Sequence, residues 1–348
     1  MLTITVAQDG SGDFSTISEA VLAAPYDLET LVLVGPGEYR EKLVCEKRCI
    51  TLRGAGAEAT RLVWADGGKL PHPDGRPTHT FRSYTAFFSG EMVTVEDMTI
   101  ENAAGPGSEA GQAIAAYVDS QRAVFRRVRL LGNQDTLFCA PLPQAEREKD
   151  GFLGPRKLAP RRPSAQYYQG CEIAGDIDFI FGGADALFEQ CTLRTVDNHL
   201  AHSYVTAPSG PADGLGFVFW DCDFVSICPV GTVYLGRPWR PTGRTAVLDC
   251  RLGGHIAPEG FSGWNDRPDL AQAGFAESGS TGPGAGERPS WVTVPDAEQA
   301  AALLSAARKR CRPVREQGEC NEKAPHLCQM AAGGCCTGGN GWDDVAGQ

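Results

Sequence analysis

The sequence lacks the features that mark several common classes of protein. No stretch approaches the roughly 20 consecutive apolar residues that span a membrane. The N-terminal MLTITVAQDGSGDF has neither the basic segment nor the apolar run of a secretory signal, which predicts a cytoplasmic protein without a membrane partner. The net charge of −11 argues against nucleic acid as a partner.

Familiar catalytic and cofactor fingerprints are also missing. There is no G-x-S-x-G, the six histidines form no recognisable set, and no phosphate-binding or dinucleotide-binding glycine motif is present. The 13 cysteines are odd in number and include no Cys-x-x-Cys pair. They favour free thiols over a disulfide framework or a metal site. We therefore expect neither a metal nor a cofactor.

What the chain does have is abundant glycine and a recurring short pattern. The 42 glycines and 23 prolines among 348 residues suit many short strands joined by turns. An apolar or aromatic residue, two spacers, Val, Met or Cys, one spacer and a second apolar residue recur six times, with the alternation of strands buried on one face. These units are Val95–Ile100, Phe125–Leu130, Tyr168–Ile173, Phe188–Leu193, Phe219–Phe224 and Val247–Leu252.

The spacing of these units predicts an all-β protein, a single parallel β-helix in which each coil covers the apolar face of its neighbour. The fourth position of the last four units is cysteine: Cys171, Cys191, Cys222 and Cys250. We interpret this as a ladder of buried thiols inside the coils.

Three segments divide the chain. We expect a β-helix domain over residues 1–292, a C-terminal helix over residues 293–311 and a Cys- and Gly-rich tail over residues 312–348 that is disordered. Thr16–Ala24 reads as a short N-terminal capping helix, and Asp296 is the expected N-cap of the C-terminal helix.

An insertion loop over residues 139–166 separates two of the coils. It carries four cations that are either solvated surface or a source of positive charge for an acidic sugar: Arg156, Lys157, Arg161 and Arg162.

The coils on either side of this loop repeat each other in outline and carry one aspartate each. Phe125–Phe138 aligns with Tyr168–Phe181, which lays Asp135 over Asp178. Equivalent positions in successive coils lie about 4.8 Å apart between backbones. Two carboxylates that close do not both ionise easily, so one is expected to hold its proton. Such a pair can perform acid–base and nucleophilic chemistry.

Six motifs in order resemble the signatures of the pectin methylesterase (pectinesterase) family. They are VAQDGSGDFSTISEAV at 6–21, GEYREK at 37–42, GQAIA at 111–115, GNQDTLF at 132–138, GDIDFIFG at 175–182 and YLGRPW at 234–239. GFAESGSTGPGA at 274–285 is a weaker match, and together the motifs cover about residues 4–290. The resemblance implies a right-handed parallel β-helix and hydrolysis, without a metal, of the C6 methyl ester of galacturonosyl residues in pectin or pectic oligosaccharides.

The resemblance also implies roles for single residues. Asp178 would attack the ester carbonyl, and Asp135 would protonate the departing methanol and then activate water. Gln112 and Gln134 would donate hydrogen bonds to the oxyanion, and Arg237 would keep Asp178 ionised and oriented. Substrate contacts would come from an aromatic floor of Trp239, Phe138 and Phe181 and, in the segment TFRSYT, from Thr85; Tyr84 departs from the small residue usual there.

The predicted partner is therefore a methylated galacturonan or oligogalacturonide, and the oligomeric state is open. Two alternatives stand beside this reading: an esterase or thioesterase acting on another acyl group, and a non-catalytic carbohydrate-binding β-helix. Lyase chemistry on the same fold would need a carboxylate cluster for calcium, which the sequence does not offer.

Overall fold

The computed structural model describes residues 1–264 and 273–313. In this part of the chain, strands from successive coils line up into three parallel sheets, and each complete coil contributes one strand to each sheet. Sheet 1 has ten strands, sheet 2 has eight and sheet 3 has seven. This is the predicted parallel β-helix.

The bounds of the strands follow the sheets. Sheet 1 contains β1 (Leu2–Val6), β2 (Thr30–Val34), β5 (Ile50–Gly54), β8 (Val93–Glu96), β11 (Arg122–Arg126), β14 (Ala165–Gln169), β17 (Asp185–Glu189), β20 (Phe217–Trp220), β23 (Arg244–Leu248) and β25 (Gly274–Ser278). Sheet 2 contains β3 (Gly37–Arg40), β6 (Thr60–Trp64), β9 (Thr99–Asn102), β12 (Arg129–Leu131), β15 (Glu172–Gly175), β18 (Thr192–Thr195), β21 (Asp223–Ser226) and β24 (Arg251–Leu252). Sheet 3 contains β4 (Leu43–Cys45), β7 (Ala86–Phe88), β10 (Ala116–Val118), β13 (Leu137–Cys139), β16 (Ile177–Gly182), β19 (Ser203–Pro208) and β22 (Val233–Gly236).

The register of neighbouring strands confirms the repeat found in the sequence. Phe125 pairs with Tyr168 in sheet 1, and Phe138 pairs with Phe181 in sheet 3. The two copies therefore lie on adjacent coils in the alignment that the sequence predicted, which also places Asp135 and Asp178 on adjacent coils.

Each six-residue unit is two strands and not the single alternating strand that the pattern suggested. The first half belongs to sheet 1 and the second half to sheet 2. Between them stands one residue with φ between +51° and +59°, in the left-handed region that turns the chain sharply. The turn residues are Asp97, Arg127, Gly170, Gln190, Asp221 and Asp249. Because the chain changes direction at a single residue, the buried positions keep a strand-like spacing. The sequence pattern therefore did not reveal the turn.

The interior of the coils is filled by stacked equivalents from successive turns. Rings in sheet 1 stack at 4.5–5.1 Å between centroids: Phe125, Tyr168, Phe188 and Phe219. The thiols of Cys171, Cys191, Cys222 and Cys250 are free and buried. The predicted ladder is confirmed.

Helices near the two ends of the described chain pack on the coils. Helix α1 (Ile17–Ala23) begins after its N-cap Thr16 and buries Ile17, Ala20 and Val21 in the main core. Helix α2 (Gly107–Ala110) is a single turn. A 3₁₀ turn spans Thr80–Arg82.

Helix α3 (Ala297–Cys311) begins at the predicted N-cap, where Asp296 and Gln299 form a capping box. It packs on sheet 1, and the buried carboxylate of Glu189 accepts hydrogen bonds from Arg308 and Arg312. None of the helices in residues 1–264 and 273–313 is long and apolar enough to cross a membrane. Most of the tail, from residue 314 onward, lies outside the described residues.

Candidate active site

The two aspartates lie where the chain enters neighbouring strands of sheet 3. Asp135 occupies the turn between β12 and β13 with φ +66°, and Asp178 is the second residue of β16 with φ +48°. Left-handed backbone is costly for residues other than glycine, by roughly 1–2 kcal/mol each. It also removes the regular alternation of a strand, which would point Gln134 and Asp135 to opposite faces.

Arg237 holds the carboxylate of Asp178 from the coil that carries β22. Its Nε and Nη2 donate to Oδ1 and Oδ2 of Asp178 at 2.8 and 2.7 Å. The side chains are only 11% and 9% exposed, so water screens this bidentate pair weakly.

Two aromatic rings fix the guanidinium of Arg237 in turn. Its central carbon lies 3.9 Å from the ring centroid of Tyr204 and 4.3 Å from that of Trp264. These cation–π contacts hold the plane of the guanidinium while its edge faces Asp178. Sequence reasoning missed both rings, because neither lies in the motifs that carry the aspartates.

Burial separates the proton affinities of the two acids. It raises the pKa of Asp135 well above the ordinary range, and the neighbouring Asp178 carboxylate raises it further. Burial also raises the pKa of Asp178, but the hydrogen bonds and the charge of Arg237 act in the opposite direction. The expected action of Arg237 would bring the pKa of Asp178 below the usual aspartate value. In the structure the effect of burial is larger, and the pKa of Asp178 is raised. Asp135 is the member of the pair that keeps its proton to higher pH.

Gln112 and Gln134 lie on the coils next to the aspartates. The backbone N–H of Ala113 donates to the carbonyl of Gln134 at 2.9 Å, and the N–H of Asp135 donates to the carbonyl of Ile177 at 3.0 Å. Both glutamine side chains are partly exposed. A Cβ atom at Gly107 would lie 2.5 Å from Oε1 of Gln134, so that glycine leaves room for the amide.

The predicted aromatic floor is only partly open. Phe138 is 0% exposed and Phe181 3% exposed, in a cluster on the outer face of sheet 3 that includes Phe81 and Phe152. Little of either ring is exposed in this structure, and their contact with a sugar stays a prediction. Side chains of the insertion loop, among them Leu142 and Phe152, belong to the same buried cluster.

Trp239 is half-buried and rests on this cluster, with its ring 5.8 Å from that of Phe181 and 6.3 Å from that of Phe152. Its contact with sugar stays a prediction. Thr85 is fully buried, and its hydroxyl donates to the carbonyl of Glu101 at 2.9 Å. It has no open surface in this structure, and its contact with substrate stays a prediction. The ring of Tyr84 lies over Phe87 and under the ammonium group of Lys42.

The insertion loop reaches the site through a residue that the sequence did not single out. Arg147 lies 5.2 Å from the ring centroid of Trp264 and donates to the carbonyl of Trp239. Of the four loop cations that were expected to be either solvated surface or a source of positive charge for an acidic sugar, Arg156 and Lys157 form ion pairs with Asp119 and Asp150. Arg161 donates to backbone carbonyls of the loop, and Arg162 is exposed.

Comparison with known proteins agrees with this geometry. The family model described as Pectinesterase matches residues 3–150 and 161–307. The chain belongs to the pectinesterase family. Members of this family are carboxylic ester hydrolases.

Two curated relatives with this name are plant proteins. Pectinesterase 31 of Arabidopsis thaliana is 31% identical over 300 residues, which are 83% of this chain and 86% of that protein. Pectinesterase 3 of Solanum lycopersicum is 33% identical over 301 residues, which are 82% of this chain but only 50% of that protein. The chain thus spans most of the first relative and about half the length of the second.

Solved pectinesterase structures share the fold. A pectin methylesterase from carrot is 28% identical with a TM-score of 0.71, over 87% of this chain and 95% of the carrot chain. A pectin methylesterase in complex with a hexasaccharide is 25% identical with a TM-score of 0.69, over 86% of this chain and 95% of that chain.

Proposed function

We propose that this protein hydrolyses the C6 methyl ester of galacturonosyl residues in pectin or pectic oligosaccharides and releases methanol. The observation that carries the proposal is the split acid pair, in which Arg237 clamps Asp178 beside a buried Asp135 of raised pKa. A binding protein has no need for two buried acids with unequal proton affinities. Membership of the pectinesterase family supports the substrate class.

In the first half of the reaction, the carboxylate of Asp178 attacks the ester carbonyl. The carbonyl π electrons move to oxygen and form a tetrahedral oxyanion, to which the amides of Gln112 and Gln134 donate hydrogen bonds. One such donor is worth about 3–4 kcal/mol in the transition state. The carbonyl re-forms, the bond to methoxy oxygen breaks, and Asp135 transfers its proton to that oxygen as methanol leaves.

The second half regenerates the enzyme. The intermediate is an anhydride between Asp178 and the galacturonosyl carboxyl, and Asp135 is now a carboxylate. Asp135 takes a proton from water as the water oxygen attacks the sugar carbonyl. The anhydride bond then breaks, which releases the galacturonosyl carboxylic acid and restores Asp178 as a carboxylate held by Arg237; the product acid then ionises in solution. Each turnover consumes one water and returns both acids to their starting forms.

The test is methanol release from methylated oligogalacturonide, compared with release from simple methyl esters of similar intrinsic reactivity. We expect kcat/KM to be far higher on the galacturonide, because only a sugar chain can use binding energy along sheet 3. Equal kcat/KM values on simple esters, or no methanol from the galacturonide, would support an esterase for another acyl group instead.

A further inference from the structure

A partly buried polar network connects the bends of three consecutive coils next to the catalytic turn. Asn133 follows β12, Asp176 follows β15 and Asn198 follows β18. Nδ2 of Asn198 donates to Oδ1 of Asn133 at 2.8 Å and to Oδ2 of Asp176 at 2.6 Å. Asp176 is 1% exposed. Burial raises the pKa of its carboxyl, and the hydrogen bonds from Asn198 and Ile177 act in the opposite direction.

This network holds the backbone that carries both proposed catalytic acids. Oδ1 of Asp176 accepts from the N–H of Ile177 at 2.6 Å, and the carbonyl of Ile177 accepts from the N–H of Asp135 at 3.0 Å. The peptide groups on both sides of Ile177 are therefore fixed, immediately before the left-handed residue Asp178. Fixed neighbours are what a strained φ of +48° requires in order to persist.

Asp176 also connects to Arg237, the partner of Asp178, through Tyr204. The carbonyl of Asp176 accepts from the N–H of Tyr204 at 3.0 Å, and the ring of Tyr204 stacks on Arg237. Asp176 thus contacts the backbone supports of Asp178 and of the ring that orients Arg237, without touching either functional side chain. Both of its oxygens accept hydrogen bonds from N–H groups, which is the pattern of an ionised carboxylate.

We propose that Asp176 is a positioning residue for the demethylation reaction, which acts through Ile177 and Tyr204 to hold Asp178 and Arg237 in register. The inference rests on the proposed function. A second consequence is electrostatic. Burial is the largest cause of the raised pKa of both catalytic acids, and for Asp135 the charge of Asp178 adds to it. The charge of Asp176 raises the pKa of both acids further.

The test uses Asp176→Asn, a substitution of the same shape that removes the charge. If the side-chain amides of Asn198 and Asn133 rotate by half a turn, the network stays satisfied with its polarity reversed. We therefore expect a folded variant. With one negative charge fewer, both limbs of the pH profile of kcat/KM should move to lower pH. At neutral pH, kcat should fall by about 10- to 100-fold with KM within twofold, because small misplacement of a reacting group costs that much.

Asp197→Asn is the matched control. It removes a carboxylate one residue from Asn198 that accepts a hydrogen bond from the N–H of His199 within its own loop. It should leave both kcat and the pH profile as in the wild type. Asn198→Ala is a second variant, which removes one donor to Asp176 and leaves the chain charge unchanged; we expect a lower kcat with an unchanged KM.

A purely structural role for Asp176 would lower the melting temperature without moving either limb of the pH profile. That result, or wild-type kcat in both Asp176→Asn and Asn198→Ala, would overturn the inference. The proposed function would survive such a result if the wild type still releases methanol from methylated oligogalacturonide.

Discussion

The guanidinium of Arg237 and the carboxylate of Asp178 form a buried bidentate pair, at 2.8 and 2.7 Å. The pair joins the coil of β22 to the coil of β16, two strands away in sheet 3. A carboxylate held in this way keeps one orientation toward an incoming ester. A substitution of Arg237 that keeps its charge but breaks the two parallel hydrogen bonds therefore tests whether this orientation contributes to catalysis.

Arg237→Lys should lower kcat by about 10- to 100-fold. Lysine keeps the positive charge, but it cannot make two parallel hydrogen bonds or stack flat between two rings. Loss of one hydrogen bond to a charged group costs about 1.5–3 kcal/mol. The measurement is the steady-state rate of methanol release. A variant with the wild-type kcat would show that the positive charge alone suffices and that the two parallel hydrogen bonds are not needed.

Tyr204→Leu should lower kcat by up to about 30-fold, whereas Tyr204→Phe should not. The leucine variant loses a cation–π contact worth as much as about 2 kcal/mol when water is excluded. The phenylalanine variant keeps the ring over Arg237 and serves as the control. If both variants lost the same activity, the hydroxyl and not the ring would be the important group.

Gly107→Ala should lower kcat by up to about 100-fold with little change in stability. The added methyl would lie 2.5 Å from Oε1 of Gln134, at the flexible end of that side chain, so the amide would move and the backbone would not. Removal of an oxyanion donor has effects of this size.

Gly286→Ala is the control for this substitution, since no atom lies within 4 Å of the position of its Cβ. Unchanged kcat in Gly107→Ala would indicate that Gln134 does not act on the oxyanion.

Asp135→Asn should be more thermally stable than the wild type, and increasingly so above about pH 4. The pKa of Asp135 is raised in the folded protein, so the unfolded chain loses this proton first, near its ordinary pKa of about 3.9. As the pH rises from there toward the folded pKa, ionisation of the unfolded state destabilises the native wild type. Asparagine carries no such cost.

Melting temperatures of the two proteins between pH 4 and pH 8 measure this difference. A gap that stays constant across the range would mean that Asp135 has no raised pKa. It would then be unsuited to protonate methanol at neutral pH.

The sequence was sufficient for the coils because each one repeats its buried positions. The 43-residue offset between Phe125 and Tyr168 recurs in the register of Phe138 and Phe181, and the pairing of Asp135 with Asp178 follows from it. The N-terminal helix lies within the predicted segment Thr16–Ala24, and the C-terminal helix begins at its predicted cap, Asp296. Local signals of this kind need no tertiary contact.

The parts that escaped prediction depend on contacts between distant segments. Trp264 and Tyr204 meet Arg237 only when the coils are wound, so no spacing in the chain indicates them. Phe138 is buried by side chains from other segments of the chain, among them Phe81 and Tyr117, whose ring centroids lie 4.9 and 4.8 Å away. The cytoplasmic location and the tail's disorder stay predictions.

The most direct test of the central claim is the rate of methanol release from methylated oligogalacturonide by Asp178→Asn, with binding of the same ligand measured by calorimetry. The account predicts that kcat falls by at least about 10³-fold while the dissociation constant changes little, because the amide cannot act as the nucleophile but keeps the shape of the site. A kcat within tenfold of the wild type, on a variant that binds the ligand normally, would contradict the assignment of Asp178 as the attacking group.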